Sequence, residues 1–324
     1  MRQEHSPPPS DAFSIGRMVK TAPSALPSWN SPPRQRLIGI ALMCAALLCF
    51  SCLDATAKWL NRSVDPLVTV WARYMSAFVL TTIAINPWTQ PRLLHTKRLP
   101  LQLIRSVLLL LSTFCNFVAL QFLQLVETMS IIFSTPLLVA LLAGPILGEH
   151  VGAKRLAAIG VGFIGILVIT RPGLGAMHPA ILLSVAGSVA YAFYGITTRM
   201  LASTDSTATT TFYSGVAGIV LMTPLLPWFW TAPPTPLTWF LLAMTGAFGG
   251  FGHWLLILAH ARAPAAILSP FIYSQIIWML ALGYILFGDW PDPWTFAGAG
   301  IVIASGLYLL YRERVRHQEL DRPA

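Results

Sequence analysis

Apolar residues fill this chain in ten successive runs, each closed by a short polar stretch. The runs are Leu37–Trp59, Pro66–Ile85, Leu101–Phe122, Val126–Leu147, Ala153–Thr170, Pro179–Met200, Ser206–Pro227, Leu237–Ala259, Ala263–Phe287 and Pro293–Tyr311. A helix needs about 20 mostly apolar residues to cross the hydrocarbon core of a bilayer. The pattern therefore predicts an all-α polytopic membrane protein with ten transmembrane helices. The connections are short and leave no room for an extramembrane enzyme domain.

Composition sharpens this picture. Of 324 residues, 55% are hydrophobic and 10% charged, against about 25% charged in a globular domain. The formal net charge of +9 does not imply nucleic acid, because the basic residues form no patch on a soluble domain. They lie between apolar runs, where Lys and Arg set topology. With the N-terminus inside, 16 of the 21 Lys and Arg fall on the cytoplasmic side. Lys58, Arg62 and Arg171 fall outside, and Arg73 and Arg105 lie within runs. The expected location is a cell inner membrane with both termini cytoplasmic. Residues 1–36, rich in Pro and Ser, read as a disordered cytoplasmic tail, and 312–324 as a second, shorter tail. Cys49 and Cys52 form a CxxC inside the first run. No second CxxC or His pair accompanies them, so they read as packing residues, and no metal or cofactor is expected.

An internal repeat organises the chain. The fourth run ends Leu147-Gly148-Glu149 and the ninth Phe287-Gly288-Asp289, an offset of 288 − 148 = 140 residues. At that offset Ala119 meets Ala259, Ser134 meets Ser274 and Gly160 meets Gly300. At nearly that offset Lys58 meets Arg199. Each half, 37–171 and 172–311, then holds five spans, and an odd number of spans inverts the second copy. Inverted halves rocking about a shared cavity are a construction of secondary transporters.

The residues carry a resemblance. The first half contains Asp54-Ala-Thr-Ala-Lys58, Asp65-Pro66, Trp71-Ala-Arg73-Tyr74, Ser134-Thr-Pro136 and Gly148-Glu149. The second contains Ser269-Pro270, Tyr273-Ser-Gln275, Gly288-Asp289-Trp290-Pro291-Asp292, Gly298 and Ser305-Gly306-Leu307-Tyr308. Over about 37–311 the chain resembles the EamA-type branch of the drug/metabolite transporter superfamily. The resemblance implies a ten-helix inner-membrane carrier for small organic metabolites, which export amino acids or take up cofactors and nucleotides. Asp54, Lys58 and Arg73 are similar to the pattern of the subgroup that carries S-adenosylmethionine and riboflavin. Pro136 has Ile276 at its counterpart, and the second half has Pro270 instead, so the halves are expected to bend at different depths.

Ionisable side chains within spans are costly and mark candidate sites. Asp54 lies roughly 9 Å inside the end of its run at about 1.5 Å per residue, and Lys58 shares its face. The pair, with Arg73, either meets a zwitterionic or anionic substrate or forms an intrahelical ion pair with Lys58 reaching outward. Arg73 binds substrate or ties the second run to Asp54. Arg105 reads as snorkelling to the cytoplasmic side, and Glu127 as a helix cap. Pro136 and Pro270 remove backbone hydrogen bonds and read as hinges or as inert kinks. Asn116, Tyr191, Tyr194, Trp254, Tyr273 and Gln275 could line a cavity or join helices. His253 could pass protons or rest as a neutral, hydrogen-bonded group. Gly246 and Gly250 form a GxxxG that permits close helix approach. Ala158, Gly162, Gly298 and Gly300 read as packing or as a homodimer surface.

The lipid bilayer and a small molecule are the expected partners, with proton coupling open and nucleic acid excluded. No Walker-type loop provides for ATP. An intramembrane enzyme would need a nucleophile with its base, or HExxH. His253 and His260 have no acidic residue between them. A channel would show a repeated filter or charged rings. A non-transporting scaffold remains the other alternative.

Overall fold

The computed structural model describes residues 33–85, 95–147, 153–171, 178–201, 204–263 and 265–320. Its helices are α1 (Pro33–Leu60), α2 (Pro66–Ile85), α3 (Leu99–Ala119), α4 (Leu125–Ile132), α5 (Thr135–Leu147), α6 (Ala153–Thr170), α7 (Ile181–Leu201), α8 (Thr207–Ser214), α9 (Val216–Phe229), α10 (Pro236–His260), α11 (Ala265–Leu268), α12 (Gln275–Phe287) and α13 (Pro293–Leu320), with a 3-10 stretch at Ser269–Ser274. Among the described residues eight spans are long and apolar enough to cross a membrane, and two shorter apolar helices cover 156–170 and 271–287. Proline opens α1, α2, α10 and α13 within the first turn, where its missing N–H costs nothing. Helix α1 begins four residues earlier than the expected first run, and α13 continues past Arg312 into the expected tail. Residues 1–32, Gly148-Glu149 and the last four residues lie outside the described set.

The main helix contacts between the halves follow one rule. Helix α1 packs on α10 and α12, and α7 packs on α3 and α5. Helix α2 packs on α10, and α9 on α3; α6 packs on α13, α2 on α9, and α4 on α12. Exchanging each span with the one five places later maps this set of pairs onto itself. Phe133 and Tyr273, 273 − 133 = 140 residues apart, meet edge to face with ring centroids at 5.1 Å. The position at which the two copies correspond is thus a position at which they touch.

Lipid is as apolar as Leu, so helix association rests on close van der Waals fit and on hydrogen bonds. Glycines supply the fit. A Cβ on Gly252 would press on the Phe50 ring, and one on Gly246 would collide with Ser76, so α10 lies directly on α1 and α2. The GxxxG reading is corrected here: Gly250 has nothing within 4 Å, and Gly249 and Gly252 continue the buried row in its place. Gly298 meets Gly165 and Ile169, Gly162 meets Leu137, and Ser305 donates to the Ala158 carbonyl at 2.5 Å. Ala158, Gly162 and Gly298 therefore pack within the chain, whereas Gly300 faces open space. Trp228, Trp290 and Trp294 are exposed, as suits indoles at a membrane–water boundary.

Two spans are broken. The fourth divides at Phe133-Ser134, with Pro136 in the first turn of α5. The ninth divides over Ser269–Ser274, with Pro270 early in that stretch. Pro136 lies at the start of the segment after its break, where a residue lacking N–H is tolerated, and Pro270 lies within the 3-10 break itself.

Candidate functional site

Several of the charged and amide side chains within the spans lie on α1, α2, α3, α7 and α10, half-buried except for the buried Arg105. Asp54 of α1 does not pair with Lys58. Its Oδ1 accepts a hydrogen bond from Asn116 Nδ2 of α3 at 3.0 Å. Asn116 Oδ1 is buried without a partner. Arg73 of α2 donates from Nη1 to Thr113 Oγ1, and Thr113 also meets the Tyr74 hydroxyl at 3.0 Å. The guanidinium lies over the rings of Tyr74 and Phe117, 5.3 and 5.7 Å from their centroids. No ion pair within 4.0 Å joins Arg73 to Asp54 among the described residues, although the carboxylate feels the charge of Arg73. The expected salt-bridge tie between α1 and α2 is corrected to a hydroxyl contact between α2 and α3.

Arg105 is not a snorkelling residue. It is 3% exposed. Nε donates to Thr198 Oγ1 at 2.7 Å, Nη1 to the Thr210 carbonyl at 2.9 Å and Ser214 Oγ at 3.0 Å, and Nη2 to the Tyr194 hydroxyl at 2.8 Å. Helices α7 and α8 thus offer four oxygens that outcompete the aqueous boundary, and the planar fork fits them together. Both Arg73 and Arg105 act electrostatically on His253 and Tyr191, so these groups share one region.

Tyr191 and Tyr194 stack at 5.4 Å with rings 20° apart. They line a cavity of about 360 Å³ with Thr135, Pro136, Thr198 and Leu309. Asp54, Arg73 and Asn116 lie beyond this lining. His253 packs edge-on against Phe50 at 4.9 Å and makes no hydrogen bond among the described residues. Trp254 is 39% exposed and packs on Phe251 at 5.4 Å, away from the buried polar groups. Tyr273 and Gln275 are buried, and the Tyr273 hydroxyl has no partner. That hydroxyl occupies the space a Cβ on Gly306 would take.

At the far end of α1, Lys58 Nζ donates to Asp289 Oδ2 at 2.5 Å and to the Leu123 carbonyl at 3.0 Å. The expected Asp54–Lys58 pair is corrected because the Asp289 carboxylate and the carbonyl of Leu123, in the connection between α3 and α4, are better placed. Beside it Arg171 pairs with Asp292. Burial raises the Asp292 carboxyl, but hydrogen bonds from Thr295 and the charge of Arg171 outweigh it and hold the pKa below the ordinary value. Glu127 accepts from the Gln124 N–H at 3.4 Å and closes a capping box on α4.

Sequence reasoning missed several members of these networks. Thr113, Thr198 and Ser214 are neutral and small and carry no signal in a single chain. At the opposite membrane face, Asp205 accepts from Thr96 Oγ1 at 2.5 Å, Gln102 Nε2 at 2.8 Å and the Lys97 N–H at 3.2 Å. Desolvation works to raise the Asp205 pKa, but these bonds prevail and lower it. Its place in a short loop after Arg199 was the available signal.

The sequence profile described as the EamA-like transporter family matches residues 37–171 and again 178–312. The S-adenosylmethionine uptake transporter of Rickettsia conorii is 24% identical over 286 residues, 88% of this chain and 96% of that protein. The riboflavin transporter of Rhizobium johnstonii is 25% identical over 305 residues, 89% and 95% respectively. The riboflavin transporter of Vibrio cholerae is 26% identical over 281 residues, 84% and 93%. A protein of known crystal structure, 16% identical, shares the fold with a TM-score of 0.59 over 86% of this chain and 98% of the other.

Proposed function

We propose, since this chain belongs to the EamA-like transporter family, that it is a secondary carrier moving a small organic metabolite across an inner membrane by alternating access. The two five-helix halves, 37–171 and 172–311, are the moving bodies, inverted about the contact of Phe133 with Tyr273. Both termini are cytoplasmic. Substrate enters between Asp54, Arg73 and Asn116 on one side and Tyr191, Tyr194 and His253 on the other. Pro136 and Pro270 mark the hinges, the first at the start of the segment after a helix break and the second within one.

The observation that carries this reading is a set of largely half-buried ionisable groups, with the buried Arg105 among them, on helices of both halves. Such groups are expensive in hydrocarbon and mark translocation pathways. The Lys58–Asp289 and Arg171–Asp292 pairs, which join first-half to second-half residues, act as the latch of the outer gate. The cavity beside Thr198 and Leu309 lies near the C-terminal end of α7 and beside α13.

Reconstitution in proteoliposomes tests the function. The panel holds S-adenosylmethionine, riboflavin, nucleosides and amino acids, each with and without a pH gradient. Saturable, time-dependent accumulation of one class is expected. Folded protein that accumulates none of them would sink the carrier reading. Tags introduced at Gly148 and Gly288 should label from opposite sides of the membrane, and labelling from one side would remove the inversion.

A further inference from the structure

The seventh span carries an interruption that no proline marks. Helix α8 ends at Ser214 and α9 begins at Val216, with Gly215 between them. The cause lies on α3. In a continuous helix the Ala217 N–H would bond to the carbonyl of residue 213, four positions back. Here it donates to Ser106 Oγ at 2.9 Å. The same hydroxyl donates to the Ser214 carbonyl at 3.3 Å. Beside it, Arg105 Nη1 donates to the Thr210 carbonyl and to Ser214 Oγ. Ser106 is fully buried, so water does not compete for these groups. A side chain inserted into the backbone ladder is one of the few causes of a helix kink.

The internal repeat supplies the comparison. Ser106 has Gly246 as its counterpart, 246 − 106 = 140, and Ala217 has Ala77, 217 − 77 = 140. The contacts correspond as well. A Cβ on Gly246 would lie 2.4 Å from Ala77 N and 2.0 Å from Ser76 Oγ. Helix α10 thus touches α2 at the position where α3 touches the seventh span. With glycine there, α2 runs unbroken from Pro66 to Ile85. With serine there, the hydroxyl stands in the ladder and the helix parts. Arg105 likewise has Thr245 as its counterpart, and that hydroxyl bonds to the Leu242 carbonyl of its own helix.

We propose that Ser106 and Arg105 are positioning residues of the transport cycle: the Ser106 hydroxyl keeps the seventh span parted at Gly215 as a hinge, and Arg105 ties that hinge to the wall of the cavity. The proposal rests on the carrier reading and deepens it. A glycine at the joint absorbs changes of φ and ψ at little cost. Arg105 has one rigid fork and partners on two elements. Nη1 holds Thr210 and Ser214 of α8, while Nε and Nη2 hold Thr198 and Tyr194 of α7, which line the cavity. A molecule that displaces Tyr194 or Thr198 therefore displaces the guanidinium and loosens α8. Helix α9 stays in place, because Gly218 lies directly against the Tyr74 ring. Helix α8 swings on Gly215 and carries the movement to Asp205, whose carboxylate ties the start of this span to Thr96 and Gln102.

Hydrogen exchange of the full chain in lipid nanodiscs, read by mass spectrometry, tests the hinge. In the wild type the segment 212–219 should exchange faster than its counterpart 72–79. Ser106→Gly, which copies the contact at Gly246, should slow 212–219 by about tenfold or more as the ladder closes. Ser106→Thr, which restores a hydroxyl, should return the fast rate. If Ser106→Gly does not fold, Ser106→Ala makes the same comparison, since it also lacks the hydroxyl. Unchanged or faster exchange without the hydroxyl would mean that Ser106 follows the interruption instead of making it, and overturns the proposal. Tyr194→Phe removes one of the four partners of Arg105 and should speed exchange in 212–219 by about threefold or more. No change there severs the cavity from the hinge. Uptake of S-adenosylmethionine and riboflavin into proteoliposomes gives the functional readout. Per folded carrier, Ser106→Gly should lower kcat by about tenfold and leave KM within about threefold. An unchanged kcat leaves the carrier and removes the positioning role. A wild type that accumulates neither compound removes the carrier reading, and the exchange rates then decide the hinge by themselves.

Discussion

Lys58 at the end of α1 and Asp289 just past α12 are 231 positions apart in sequence and 2.5 Å apart in space. Gly288 makes this meeting possible. At φ +69° it ends α12 in the left-handed region, where a Cβ costs roughly 1–2 kcal/mol. The Asp289 N–H then bonds back to the Gly283 carbonyl at 3.1 Å and the Gly288 N–H to the Tyr284 carbonyl at 3.0 Å, which satisfies carbonyls of the last turn. That turn aims the carboxylate at α1. Lys58 also lies 5.0 Å from the Phe287 ring centroid.

Breaking the pair should open the outer face. The side chains are 15% and 24% exposed, between a surface pair and a buried one, so removing one partner should cost about 1–3 kcal/mol. Lys58→Ala and Asp289→Asn should speed modification of a cysteine introduced at Leu123 by an impermeant maleimide. The swap Lys58→Asp with Asp289→Lys should restore slow modification. Unchanged rates in both single variants would show that the pair latches nothing.

Gly246 and Gly250 should respond in opposite ways to alanine. The first lies against Ser76, and the second has nothing within 4 Å. Gly246→Ala should destabilise by about 1–3 kcal/mol through overpacking, and Gly250→Ala should stay within about 0.5 kcal/mol. Thermal unfolding in one detergent, followed by fluorescence-detected size exclusion, compares the two. Equal melting shifts would contradict the contact assignment on α10.

Arg105→Lys should be damaging. An ammonium has three donors at one point and cannot span Thr198, Thr210, Ser214 and Tyr194 together. Losing two charge-assisted bonds at about 1.5 kcal/mol each gives a cost of roughly 3 kcal/mol. Unfolding in mixed micelles measures it. A stable Lys variant would support a side chain that reaches the membrane surface.

The Asp205 tether should weaken in acid. Its folded pKa lies below the ordinary value, so its stabilisation is complete above about pH 4. It is lost as the pH falls through the lower, folded value. Hydrogen-exchange protection factors at Lys97 and Arg98 should fall below pH 4 in the wild type. In Asp205→Asn protection should be low throughout, with little change between pH 4 and 7.

Hydrophobic runs determined the class of this molecule from sequence alone. Ten stretches of bilayer length can be satisfied only by helices, because hydrocarbon offers no partner for the backbone. The 140-residue offset between the halves, read from Gly148 and Gly288, followed from the order of residues too. Local chemistry was legible where it is local: Glu127 caps its own helix, and prolines start segments. The partners of the charged side chains were not legible. Spacing placed Lys58 over Asp54, but the fold brought Asp289 to Lys58 and Asn116 to Asp54. Depth alone sent Arg105 toward water, while four oxygens from α7 and α8 held it inside. Periodicity fixes which residues share a helix face. Only the packing of distant helices decides what that face meets, because in lipid one well-placed hydroxyl or carboxylate outweighs any preference within a helix.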